Sequence, residues 1–400
     1  MGAPYEVGVA PVRTKTPIAV PRLAVRAPDV VVEVVAGGRA KDDFIRFQLD
    51  HYAGDPNFVP PIIAERKDFL DFERNPFFKD ARAQLYVARR QGRVVGRIAA
   101  IVDERYNRFH GTQDGFVGLF ESQNDPGLAA ALFDAALSWL RREGVKRCIG
   151  PVNVGFHHDA GIQVLGHERF PAMLMPYNPL WYGVLFEANG FQKLKDLYTY
   201  EVQAISGLPE KVRRLAERVK SSGQVTVRRL DVYRPEGDLL RMYSIFNTMM
   251  RPGFGFAPIS NDEFMQIVNR LRPLVLLRPE LSLIAEVDGE MVGFCITVPD
   301  IYPAQKEAGG KLFPFGLAKF LWKTRSITRL RGLLFGIKDG WRRRGIDALL
   351  AHETYKAALG LGYDAGELGW AMEDDTLVNR MLQTAGGKHV KTFRVYQRPL

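Results

Sequence analysis

Three consecutive arginines and a glycine stand in the run Gly336-Ile-Lys-Asp-Gly-Trp-Arg-Arg-Arg-Gly-Ile-Asp-Ala-Leu-Leu350. An apolar strand-like stretch enters this run and a helical pattern leaves it at once. The N–H groups of a helix's first turn have no partner within the helix, and the helix dipole favours an anion there. Gly345 lets a phosphate approach the chain, and Arg342, Arg343 and Arg344 add charge-assisted contacts. Ile337 and Ile346 frame the loop, so the stretch 337–346 reads as a phosphate-binding turn. The plainer alternative is a solvated basic turn ahead of an amphipathic helix.

A second cluster suits proton transfer. Gly150-Pro-Val-Asn-Val-Gly-Phe-His-His-Asp-Ala-Gly161 gathers Asn153, His157, His158 and Asp159 beyond the end of a buried strand. Strand ends are where open α/β sheets place chemistry. A histidine beside a carboxylate titrates near neutrality and can take a proton from an ammonium group. Glu121, at the end of another strand, and Glu367 and Glu373 are further acid or base candidates. Close by, Met175-Pro-Tyr-Asn-Pro-Leu-Trp-Tyr182 places Tyr177, Asn178, Trp181 and Tyr182 in a loop, which reads either as a pocket wall or as core. Two more aromatic loops, Phe69–Phe78 and Arg251–Pro258 with Phe254 and Phe256, fit the wall of the same groove. Lys311–Arg331 holds six basic residues and no acid, with Phe313, Leu317, Phe320 and Leu321 on one helical face. That mixture suits an anionic membrane surface or a lid over an acyl chain. A helix packed on its own domain is the alternative.

These residues are positioned by an internal repeat. Ala88, Gly92, Val95 and Gly96 match Ala285, Gly289, Val292 and Gly293, and Leu185 and Gly190 match Leu382 and Gly387, all at an offset of 197. Each copy predicts a hairpin, then strand, helix, strand, helix and strand. The helices expected in the first copy are Lys41–Tyr52, Pro126–Glu143 and Leu180–Ala188. In the second they are Gly237–Met250, Ile346–Leu359 and Thr376–Thr384. The strands Leu194–Val202 and Val390–Gln397 end the two copies. Residues 1–29, rich in proline and without periodicity, predict a disordered arm, followed by lobes at 30–205 and 206–400. Each lobe carries one long insertion, Asn153–Asn178 in the first and Ile301–Arg329 in the second. Insertions that differ on a shared scaffold suggest divided tasks.

Composition narrows the class. The chain has 400 residues, of which 46% are hydrophobic and 25% charged, ordinary for a globular protein with two cores. No run approaches the length of a spanning helix and no signal peptide is evident. Two distant cysteines, Cys148 and Cys295, offer neither a disulfide framework nor metal spacing. They fit a cytoplasmic protein, with the inner membrane face as a peripheral site. A net charge of +10 suits anionic partners, but no nucleic-acid-binding motif accompanies it.

The order of elements and the loop at Arg342, Gly345 and Ile346 resemble the GNAT superfamily of acyl-CoA-dependent N-acyltransferases, and the layout is similar to its two-lobed bacterial members. The resemblance implies an α/β fold of tandem lobes, each a mixed, mostly antiparallel sheet flanked by helices. It implies acyl-CoA as co-substrate, no metal, and an amine acceptor; the Phe313–Arg331 segment leans the reading to a long acyl chain and a lipid-like amine, and the two-lobed layout to a sphingoid one. It places CoA on Ile337, Arg342–Ile346 and Asn379, the last on the helix that lies along the pantetheine arm in the family. It leaves the first lobe, whose loop Glu121–Leu128 lacks arginine, for the acceptor. Two departures stand out: Asp347 replaces a small residue, and Leu382 stands where the family commonly has a tyrosine acid. Transfer to a small soluble amine, and a non-catalytic GNAT-fold protein that binds a membrane surface or a partner, are the competing readings.

Overall fold

The computed structural model describes residues 27, 29–249, 254–309 and 316–400. The arm expected over 1–29 lies outside the described residues except for Ala27 and Asp29, as do Arg251–Gly253 and Lys311–Phe315. The strands are β1 Val30–Val34, β2 Ala81–Arg90, β3 Arg93–Asp103, β4 Asp114–Ser122, β5 Arg147–Gly150, β6 Ile162–Leu165 and β7 Gln192–Gln203. They continue as β8 Thr226–Arg229, β9 Ser282–Val287, β10 Glu290–Pro299, β11 Arg329–Ile337, β12 Ala365–Met372 and β13 Lys388–Pro399. The helices are α1 Gly38–His51, α2 Ile63–Phe69, α3 Glu104–His110, α4 Pro126–Arg142, α5 Tyr182–Ala188 and α6 Glu210–Ser221. After them come α7 Glu236–Met249, α8 Asn261–Leu277, α9 Tyr302–Glu307, α10 Gly316–Thr324, α11 Ile346–Gly360 and α12 Thr376–Thr384.

The repeated glycines have a local cause. Gln91-Gly92 joins β2 to β3 and Asp288-Gly289 joins β9 to β10, and all four residues have positive φ. That is the backbone of a two-residue turn matched to strand twist, where glycine is unstrained at the second position. The long helix α4 starts at Pro126 under an Asp125 cap and buries Leu128, Leu132, Phe133 and Leu137 against the sheet. Helix α8 contains Pro273 in its interior. Its start nevertheless carries a full capping box, with Ser260 accepting from the Glu263 N–H while Glu263 accepts from the Ser260 N–H.

The fold is α/β, with one mixed sheet in the order β1-β2-β3-β4-β5-β13-β7-β12-β11-β10-β9-β8. Two neighbouring pairs are parallel, and both are short. Strand β4 meets β5 only from Asp114↔Arg147 to Phe116↔Ile149, and β11 meets β12 only from Arg329↔Ala365 to Arg331↔Glu367. Beyond these points each pair splays. The last strand of each copy crosses to the other: β13 lies between β5 and β7, and β7 lies between β13 and β12. They pair antiparallel with each other from Lys388↔Glu201 to Gln397↔Gln192. Nothing in the sequence pattern announced this exchange, because a strand's apolar alternation does not name its neighbour.

Buried charges lock the exchange. Lys391 on β13 donates to Glu367 on β12 at 2.7 Å, with both side chains almost wholly buried. Arg331 on β11 donates to the Glu367 and Gly369 carbonyls at 3.0 and 2.7 Å and to the Met173 carbonyl at 3.0 Å. Asp300 lies beside them, its carboxyl pushed up to about 6 by burial. Arg105 on α3 pairs with Glu263 on α8, tying the two copies together a second time. Removing one member of a buried ion pair strands the other charge, whereas replacing both costs much less. Lys391→Met is therefore expected to lower unfolding free energy by about 3–5 kcal/mol. The pair Lys391→Met with Glu367→Leu should recover most of that loss, as read from denaturant melts.

Candidate functional site

Strand β11 ends at Ile337 and the chain turns through Lys338–Arg344 into α11. Gly345 holds the left-handed conformation at the helix start, with φ of 79°, and no side chain caps the first turn. Gly345 is also wedged against α6: a Cβ there would lie 2.9 Å from a Val219 methyl. The three arginines are exposed. Arg342 pairs with Asp339 at 3.3 Å, and the Arg344 guanidinium lies 4.6 Å over the Trp341 ring. Ile337 and Ile346 point into a small core with Leu283, Val292 and Leu350, so they fix the loop rather than touch solvent. Asp347 is half-buried on the first turn. An uncapped helix start under three cations fits an anionic group such as a pyrophosphate.

The first copy treats the same positions differently. Asp125 caps α4, accepting from the Gly127 and Leu128 N–H groups at 2.9 and 3.1 Å, and it also pairs with Arg90. That helix start already carries its anion. The splay between β4 and β5 is filled by the chain itself. The Val152 N–H donates to the Val117 carbonyl at 2.8 Å, the Leu119 N–H donates to Asn153 Oδ1 at 2.6 Å, and a Cβ on Gly118 would overlap the Val152 carbonyl. In the second copy, among the described residues, no backbone bond from a third segment bridges β11 and β12 beyond Arg331.

Next to the filled splay lies a cavity of about 450 Å³. It runs from Glu121, Asn153 and Asp159 past Met173 and Met175 to Leu271 and Leu274 of α8, Ile301 and Tyr302 by α9, and Phe320 and Leu321 of α10. Its size is that of a small-molecule site, and its walls are mainly apolar. Glu121 closes one end. It accepts from Gln48 at 2.5 Å, from the Tyr52 and Tyr182 hydroxyls at 2.7 and 2.6 Å, and from Arg97 at 3.5 Å, all buried or nearly so. Burial and this carboxylate together push both tyrosines well above the usual range, so they stay neutral donors. Asp159 receives a short hydrogen bond from the Asn153 amide. Burial raises its carboxyl, against the pull of Arg66 and Arg270.

The expected site residues thus fall into separate groups. Glu121, Asn153, Asp159, Tyr177, Asn178 and Tyr182 do converge on the cavity. Asn178 spends its side chain on the Gln163 backbone, and Tyr177 donates to Asp55 at 2.7 Å. His157 and His158 do not line the cavity. His157 bonds the Ala257 carbonyl at 2.7 Å, and His158 meets the edges of Phe69 and Phe77. Burial depresses them to about 4 and about 3, so both are neutral wedges and poor proton acceptors. Phe254 and Phe256 pack with Phe156 and Trp370, with Phe256 stacked on Trp370 at 5.3 Å. Asn379 bonds the Met372 and Asp375 carbonyls and accepts from Tyr200, which uses its amide within the fold. Glu373 is held by Lys193 at 2.7 Å and by the Asp196 N–H. Sequence reading missed Gln48, Tyr52, Arg66, Arg97 and Arg270. Arg97 alone had left a signal, a cation in the middle of the apolar run Val94–Val102.

Comparison with known proteins supplies context for this geometry. No protein-family model matches the chain. The bacterial ceramide synthase of Caulobacter vibrioides is 34% identical over 364 residues, covering 89% of this chain and 94% of that protein. Protein YghO of Escherichia coli K12 is 30% identical over the same length, covering 89% and 92%. Among solved structures, a tandem GNAT protein from the clavulanic acid biosynthesis pathway aligns with a TM-score of 0.57 at 11% identity, covering 92% of this chain and 98% of its own. A GCN5-related N-acetyltransferase from Sphaerobacter thermophilus aligns at 0.50 and 14% identity, covering 94% and 97%. These structural likenesses carry the fold.

The two histidines make a stability prediction. A depressed folded-state value means that their contribution is complete above about pH 6.5 and is lost as pH falls towards 4 and 3. Asp300, raised to about 6, acts in the opposite sense and loses its contribution as pH rises through that value. The melting temperature of His158→Phe should therefore fall less between pH 6.5 and 4 than that of the parent chain. An unchanged slope would mean that His158 is not held neutral.

Proposed function

This chain belongs to the GNAT-type N-acyltransferase family that includes the bacterial ceramide synthase of Caulobacter vibrioides, and we propose that it moves a long acyl chain from a CoA thioester to a lipid-like, sphingoid amine. The observation that carries the long-chain reading is the cavity of about 450 Å³, with more apolar than polar wall and with the carboxylates Glu121 and Asp159 in its lining. A small soluble amine needs no such volume. A single-chain amine needs both features, apolar walls for the chain and an acid for the ammonium group.

Arg342, Arg343, Arg344 and the uncapped start of α11 would hold the CoA phosphates, with Gly345 setting the left-handed turn into the helix. The thioester supplies the acyl group. Asp159 takes the proton from the ammonium group, and the Asn153 amide keeps its carboxylate aimed at the cavity. The new bond joins the amine nitrogen to the acyl carbon while the carbon–sulfur bond breaks, and the thiolate leaves to take a proton. Glu121, its charge already answered by Arg97, sets the polar end of the cavity rather than moving a proton. The apolar walls exclude water that would compete with the amine.

Helix α10 supports delivery from an anionic membrane surface. Phe320 and Leu321 line the cavity, while Leu321 is 50% and Trp322 72% exposed, with Lys323 and Arg325 following them. Exposed tryptophan and leucine flanked by cations suit the interface of an anionic bilayer. None of the described helices is long and apolar enough to cross a membrane. The inner face of the membrane, reached from the cytoplasm, is the location this reading implies.

With a sphingoid amine as acceptor, release of free thiol should be at least about tenfold more efficient from palmitoyl-CoA than from acetyl-CoA. Leu274→Trp, which fills the cavity, should lower turnover of the sphingoid amine while sparing that of a small soluble amine. Preference for acetyl-CoA with small soluble amines would sink the proposal. Asp159→Asn should lower kcat by about 10²–10⁴-fold, whereas Arg342→Ala should act mainly by raising KM for acyl-CoA. Binding to phosphatidylglycerol-rich vesicles should weaken in Trp322→Ser, and sedimentation checks it.

A further inference from the structure

The cavity wall carries a charge that an alkyl amine leaves unanswered. Arg66 on α2 and Arg270 on α8 both line it. Their guanidinium groups lie over the one Phe69 ring, at 5.8 and 6.0 Å, so two like charges are held on a shared apolar platform. Arg270 has Glu65 at 3.6 Å on the rim. The Arg66 guanidinium has neither an ion pair nor a hydrogen bond among the described residues. Neither of the other cavity acids contacts it: Glu121 bonds Arg97 and two tyrosines, and Asp159 accepts from the Asn153 amide. Arg66 and Arg270 act on Asp159 only through space.

Glu65 answers only Arg270, so the two guanidinium groups keep an excess positive charge on the cavity wall, and the planar five-donor fork of a guanidinium is matched by a carboxylate or a phosphate. Asp159 on the same cavity is matched by an ammonium group. We infer that the amine taken into this cavity also bears an anionic group, a phosphate or a carboxylate close to its nitrogen, which Arg66 binds with Arg270 assisting. The acceptor is then a zwitterionic amphiphile rather than a simple long-chain amine. This inference rests on the cavity being the acceptor site proposed above.

Binding and turnover separate the two ideas. Calorimetry on the full chain would use decyl phosphate, decanoate and decyl maltoside, each below its micelle concentration. One or both anions should bind at least about tenfold tighter than the neutral glycoside. Arg66→Gln should remove that difference, and Arg66→Lys should restore part of it. The stronger anion identifies phosphate or carboxylate as the group recognised. Equal binding of all three overturns the inference whatever the enzyme's activity, as does an Arg66→Gln variant that weakens all three alike. In turnover with palmitoyl-CoA, a long-chain amine bearing the preferred anion should exceed its uncharged counterpart in kcat/KM by a similar factor. Tight anion binding with no acylation of any amine would keep the anion site and remove the acyltransfer reading.

Discussion

The antiparallel pairing of β7 with β13 is the constraint on which the rest of the molecule depends. Each copy of the repeat splays at its parallel strand pair and would end in an unpaired edge, which is costly to leave exposed. Crossing the final strands satisfies both edges at once, because β13 pairs with β5 and β7 pairs with β12. The sheet has no seam between the copies. Lys391 and Glu367 then bury a matched charge pair across β13 and β12, and Arg331 caps the point where β11 and β12 part. The cavity beside Met173 and Met175 is walled from both copies, by Leu119 and Glu121 of β4 on one side and Leu271 and Leu274 of α8 on the other.

On that common frame, a few side chains give the two copies opposite characters. In the first, Asp125 supplies the helix start with its own anion and Pro151–Asn153 occupies the splay. In the second, Gly345 leaves the helix start uncapped beneath exposed arginines. A cap and a ligand compete for the same N–H groups, so an aspartate closes in one copy the helix start that a glycine leaves open in the other.

Charge placement at the cavity follows the rule that buried groups need partners. Glu121 is surrounded by donors and has its cation, so it contributes order. Asp159 has one amide and distant guanidinium groups, so its raised carboxyl retains capacity for a proton or a cation. His157 and His158, adjacent to it in sequence, are sealed among Phe69, Phe77 and Ala257 and lose the ability to charge. Neighbouring positions in the chain therefore have opposed chemistry, decided by which way each side chain enters the packing.

The sequence by itself determined what is local. The duplicated hairpins follow from Gln91-Gly92 and Asp288-Gly289, which need positive φ, and the uncapped start of α11 follows from Gly345 at its N-terminus. The family resemblance was likewise carried by short-range motifs in fixed order. Only the tertiary structure decided the strand exchange, the cage around Glu121, the burial of the two histidines, and the meeting of Arg66 with Arg270. The reason is physical. Periodicity and turn chemistry act over a few residues and are written in the chain. Register between distant strands, and the desolvation that sets a histidine's or a carboxylate's protonation, arise from partners far along the chain that only packing brings together.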